Sequence, residues 1–199
     1  DSMDTSSDVD QISIGDIVSY NDTEENWPVI DGYGALVARW AADVPVQLNT
    51  AATAIRWGNS GVSVETRRGA LHAKCAVIAV STGVLGSGDI RFWPELPAEK
   101  GQAIEALPLG NYNRIRLVID RHLFTDDVPE RVVVEQPGNP PMQLSVRPYG
   151  FDCVIGIVAG RYADWLERAG PGAAREAVTR ALCETFGANM RSQIKSDRQ

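Results

Sequence analysis

The spacing of apolar residues changes period several times along this 199-residue chain. After Gly32-Tyr33-Gly34, the residues Leu36, Val37, Trp40 and Ala41 recur every three to four positions, which predicts a helix ending before Pro45. From residue 46 the period becomes two. Short strands are predicted over 46–48, 54–57, 62–66 and 71–74, with Gly58-Asn59-Ser60-Gly61 and Arg67-Arg68-Gly69 as reversals. These strands form a small antiparallel meander. Its last strand runs into the uninterrupted apolar stretch CAVIAV at 75–80, the pattern of a strand covered on both faces.

The second half alternates again. Pro97 opens a helix carrying Ala103, Ile104 and Leu107 on one face, and a long strand follows over 111–120. Further strands are predicted at 131–136, 142–147 and 153–159. One helix then holds Tyr162, Trp165 and Leu166, and a second runs over 172–186 until Gly187 stops it. The polar N-terminal segment 1–26 contains only Ile12, Ile14, Ile17 and Val18 as a short element able to dock on something else. The expected fold is α+β: a mixed, mainly antiparallel sheet of about five or six strands packed on helices, with the meander projecting from it.

On the long strand, period two places Ile115, Leu117 and Ile119 on one face and Tyr112, Arg114 and Arg116 on the other. The aliphatic set is an ordinary core face. Two arginines beside a tyrosine require water, a carboxylate or a polar cavity, so the second face is either a solvated edge or the wall of a binding site.

Composition narrows the classes. Hydrophobic residues make up 44% and charged residues 23%, the usage of a folded globular protein. No stretch reaches the roughly 20 apolar residues that span a bilayer, and the acidic N-terminus is unlike a signal peptide. A cytoplasmic setting is the expectation. The formal net charge of -7 argues against a nucleic-acid partner. Cys75, Cys153 and Cys183 are far apart and read as buried free thiols, and His72 and His122 read as a meander surface residue and a loop residue. No metal site is expected. Trp27, Trp40, Trp57, Trp93 and Trp165 read as packing residues.

The phosphate-binding motifs are incomplete. Gly32-Tyr33-Gly34 is followed by Val37, and Gly86-Ser87-Gly88 by Arg91, where the G-x-G-x-x-G fingerprint needs a third glycine. The first is read as a tight turn into its helix. No G-x-S-x-G elbow occurs either.

The order of the segments nevertheless resembles the flavin-containing amine oxidase family: monoamine, polyamine and L-amino-acid oxidases and the histone-lysine demethylases. The matching features are Gly32-Tyr33 before a helix, Leu48-Asn49-Thr50 before the meander, and Val77-Ile78-Ala79-Val80 after it. They continue with Val84-Leu85, the spaced set Ile90, Phe92, Pro94, Leu96 and Pro97, then Lys100, Ala103-Ile104, and Gly110 ahead of the long strand. The resemblance implies the central fragment of an FAD-dependent enzyme. Residues 1–26 and 85–190 would be its substrate-binding domain, 27–84 a partial excursion of the FAD-binding domain, and 191–199 a tail. It implies oxidation of an amine to an imine, which hydrolyses to an aldehyde or keto product and ammonia or an amine, while oxygen reoxidises the flavin to give hydrogen peroxide. The isolated chain is expected to bind FAD poorly and to be inactive, its partners being the amine and the remaining FAD-binding segments.

The resemblance also assigns positions. Arg114 stands where the family usually has a lysine holding a water near flavin N5, and Tyr112 where a residue lines the substrate cavity. Ala52 stands where a valine contacts the adenine side of FAD through its backbone. Ser81 and Thr82 replace a proline at the strand end nearest the flavin. Two other classes remain open: a flavin oxidase or desaturase of a non-amine substrate, and a non-catalytic protein-binding module of the same fold.

Overall fold

A computed structural model of the chain describes residues 6–23, 25, 27–125 and 127–195. They form two compact units, one containing Tyr20–Leu109 and the other the segment up to Ser19 with the segment from Gly110 onward.

The first unit is built on a four-stranded sheet. β1 (Ala52–Gly58), β2 (Gly61–Thr66) and β3 (Gly69–Ala73) form the antiparallel meander, and β4 (Arg91–Trp93) adds to β1 in parallel, giving the order β3-β2-β1-β4. The first hairpin closes at Gly61, whose φ of 119° and 2.6 Å distance from a would-be Cβ to the Ala73 carbonyl oxygen exclude a larger residue. Ala54 and Ile55 carry the buried positions of this sheet, joined by Ile90 just before β4.

Helices in this unit cover α2 (Tyr33–Trp40), α3 (Thr82–Gly86) and α4 (Ala98–Glu105), while α1 (Ile14–Ser19) belongs to the other unit. α2 begins at Gly32, whose φ of 90° makes the tight entry expected of that glycine. The anticipated strand at 46–48 is irregular backbone.

The apolar run is not the covered strand that its pattern predicts. Residues 75–80 are exposed irregular backbone, with Val77 93% exposed, because no strand among the described residues pairs with them. Cys75 is therefore an exposed thiol, not a buried one. Residues 85–109 group with the meander and not with the long strand, since β4 pairs with β1 and Gly86 of α3 faces Ile104 of α4.

The second unit holds the antiparallel sheet β5-β8-β7-β6, made of β5 (Tyr112–Val118), β6 (Arg131–Gln136), β7 (Asn139–Val146) and β8 (Cys153–Ala159). This main sheet has four strands, fewer than the sequence suggests. β7 begins at Asn139 and takes in Pro140 and Pro141, which the sequence pattern places in the preceding loop. α5 (Gly160–Ala169) and α6 (Pro171–Phe186) cover one face. Leu117, Leu144, Val154 and Val158 from the sheet meet Leu166, Val178 and Leu182 from the helices in a continuous core. Gly156 is the contact point: a Cβ there would strike the side chain of Val178.

The C-terminal tail is docked as far as it is described. Arg191 makes a bidentate pair with Glu176, which holds the Glu176 carboxyl below its usual range. Met190 is buried, and the Lys195 amide donates to the Val118 carbonyl. Residues 196–199 of the expected tail, and 1–5, 24 and 26 of the expected N-terminal piece, lie outside the described residues.

All five tryptophans are exposed, contrary to a packing role. Trp57 Nε1 donates to the Pro94 carbonyl, Arg56 lies 5.8 Å from the Trp93 ring centroid, and Trp165 stacks on Tyr162. Trp57, Trp93 and Trp165 are thus each held at the surface by one partner.

Candidate functional site

β5 keeps the register that its alternation demands. Leu117 and Ile119 are 0% and 1% exposed, whereas Arg114 and Arg116 face solvent and Tyr112 is half-buried. The Arg114 guanidinium lies 5.5 Å from the centroid of the Tyr112 ring, within cation–π range. Slipping by one residue would put both arginines in the core and three aliphatics in water, so the register is strongly held.

Pairing with β8 extends this outward face. Tyr112 lies opposite Ala159, Arg114 opposite Ile157, and Arg116 opposite Ile155, and directly opposed residues share a face. Cys153, Ile157 and Ala159 are buried although they sit outside the main core cluster. Burial pushes the Cys153 thiol up, and the nearby Arg116 charge opposes that shift.

The start of β5 is pinned by polar contacts. Asn111 Nδ2 donates to Asp164 Oδ1 at 2.7 Å and to Glu167 Oε2 at 2.8 Å, and its carbonyl accepts from the Gly160 amide at 2.9 Å. On the other side of Gly160, the Asp8 carboxylate accepts from the Arg161 amide at 2.9 Å, and the Arg161 side chain pairs with Asp8 and Asp10. The N-terminal segment thus clips onto the first turn of α5. Pattern reading had no signal for this clip, because its partners lie about 150 positions apart.

Ala52, Ser81 and Thr82 belong to the first unit, so they are not among the residues grouped around Tyr112 and Arg114. Ala52 opens β1 and is half-buried, offering only its backbone. Ser81 caps α3: its hydroxyl accepts from the Val84 amide at 3.3 Å and keeps its own O–H to donate. Thr82 lines an open groove of about 710 Å³ with Ile55, Cys75, Phe92, Leu96 and Ile104, a feature that no sequence motif pointed to. Backbone groups, two hydroxyls and an apolar wall fit one flank of a flavin dinucleotide. They do not fit its pyrophosphate, which a complete glycine-rich loop would cradle.

The architecture is that of an α+β chain with the fold of flavin-dependent amine oxidases. It aligns with a putrescine oxidase structure at a TM-score of 0.66 and 17% identity, covering 83% of this chain and 38% of that one. Cyclohexylamine oxidase from Brevibacterium oxydans IH-35A aligns at 0.65 and 21% identity, over 80% of this chain and 36% of that one.

The family profile for flavin containing amine oxidoreductases matches residues 10–198, and the chain belongs to that family. Polyamine oxidase 4 of Oryza sativa subsp. japonica is 30% identical over 146 residues, 70% of this chain and 29% of that protein. Lysine-specific histone demethylase 1 homolog 1 of Arabidopsis thaliana is 28% identical over 136 residues, 66% of this chain and 16% of that protein. The chain spans less than a third of the length of these two relatives. Family membership carries FAD as the cofactor of the complete enzyme. Among the described residues, no helix is long and apolar enough to cross a membrane.

Proposed function

We propose that this chain is the substrate-binding portion of an FAD-dependent amine oxidase, with the outward face of β5 forming the floor over which the amine lies. The observation that carries this is the opposed burial on β5: a fully buried Leu117 fixes Arg114 and Tyr112 on the solvent side as a stacked pair. When bound, FAD supplies the two-electron acceptor for the hydride equivalent leaving the carbon beside the amine nitrogen.

The protein's share is to bind and orient. Tyr112 presents an aromatic wall to the substrate. Arg114 takes the place of the family lysine, and its guanidinium donors hold a water at the reacting edge; being planar, it directs those donors differently from an ammonium. Ala52, Ser81 and Thr82 contact the cofactor side through backbone groups and hydroxyls. Residues 27–84 act as part of the cofactor domain and 1–26 with 85–190 as the substrate domain, of which 85–109 is the stretch that packs with the meander. The oxidised amine leaves as an imine, and water hydrolyses it to an aldehyde or keto product with release of ammonia or a smaller amine; dioxygen would take the two electrons back from the cofactor and leave as hydrogen peroxide. The 199-residue chain alone is inactive on this reading, because neither Gly32-Tyr33-Gly34 nor Gly86-Ser87-Gly88 completes a phosphate-binding loop.

In a reconstituted full-length enzyme, Arg114→Met followed by stopped flow tests the assignment. Slowed flavin reoxidation with near-normal reduction is the expected result. Unchanged rates in both phases would leave Arg114 a solvated strand residue.

A further inference from the structure

We infer that the outward face of β5 and β8 selects an amine that also carries a carboxylate, the amino-acid class, over a diamine or polyamine. The inference rests on reading this face as the substrate floor and adds the chemistry of what lies on it.

Arg114 and Arg116 project from alternate positions of β5, about 7 Å apart along the strand. Both are exposed, and among the described residues neither is joined to a carboxylate. The acids at the start of β5 are committed elsewhere: Asp8 and Asp10 to Arg161, Asp164 and Glu167 to Asn111. Glu135 also faces outward, but β6 lies three strands from β5, about 14 Å away. In the row of Arg116, the sequence of cross-strand pairs runs through Ile155 and Ser145 to Arg131, another cation.

A dication placed over this face would meet two uncompensated positive charges. A carboxylate would be welcomed by them, since a guanidinium offers paired donors that match its two oxygens. Ile155, half-buried and directly across from Arg116, gives an apolar contact for the carbon chain between carboxylate and amine.

The test titrates the 199-residue chain, observed by amide NMR, with glutarate, glutamate and putrescine at low salt. Glutarate and glutamate should shift the amides of Tyr112–Val118 and Cys153–Ala159 saturably. Arg114→Gln and Arg116→Gln should each weaken that binding by about tenfold, the loss of one charge-assisted hydrogen bond. Absence of any saturable shift, shifts that survive both substitutions, or tighter binding of putrescine would each overturn the inference. The oxidase reading is tested apart from this, with the flavin-loaded full-length protein. If no amine reduces its flavin, that reading falls while the binding data stand. If putrescine is oxidised and glutamate-like amines are not, only the selection falls.

Discussion

The seating of α6 on the sheet at Gly156 can be tested by a double-mutant cycle. A Cβ at Gly156 would lie 2.8 Å from Val178 Cγ1 and closer still to Cγ2, and Val178 is fully buried, so neither side has room to yield. Gly156→Ala should therefore cost about 1–3 kcal/mol, the usual range for overpacking a tight core. Val178→Ala removes two buried methyl groups, about 1.6 kcal/mol of transfer free energy plus a cavity term. In the double variant the added methyl moves into the space vacated by Val178. Its total cost should fall short of the sum by at least about 1 kcal/mol, a coupling well above the usual additivity error. Thermal unfolding followed by far-ultraviolet circular dichroism resolves this, at roughly 2–4 °C per kcal/mol for a chain of this size. Simple additivity would mean that the helix does not rest on Gly156.

Three further outcomes bear on separate parts of the chain. Arg191 holds the Glu176 carboxyl below the usual glutamate range, so the pair stabilises the fold above that range and loses its effect as pH falls through the lowered value. The stability gap between the wild-type protein and Glu176→Gln should be present at pH 7 and close in acid; a gap that widens on acidification would contradict the pairing. Cys75 should react with iodoacetamide in the folded protein while Cys153, 6% exposed and pushed up by burial, waits for unfolding, as peptide mapping would show. Tyr162→Phe should cost about 1–2 kcal/mol in urea titration, because Gln136 Oε1 would lose its 3.1 Å partner while Gln136 Nε2 has none among the described residues. No measurable cost would show that water serves Gln136 equally well.

Local pattern was sufficient for much of this protein. Alternation predicted β5, β6, β8 and the meander within a few residues, because a half-buried strand has no alternative register once its aliphatic face is set. The same argument put Arg114 and Arg116 outside and Leu117 inside. Periodicity also located α5 and α6, whose stripes at Leu166, Val178 and Leu182 are buried.

Tertiary structure decided what pattern could not. An apolar run such as 75–80 shows that a segment can be covered, but coverage depends on which strands lie beside it, and among the described residues none does. The parallel pairing of β4 with β1 moved residues 85–109 into the first unit, a choice made between segments more than 30 positions apart. The Asp8–Arg161 clip and the seat of Val178 on Gly156 are likewise meetings of distant residues. Such contacts follow from how the chain closes upon itself, and the period of apolar residues carries no record of them.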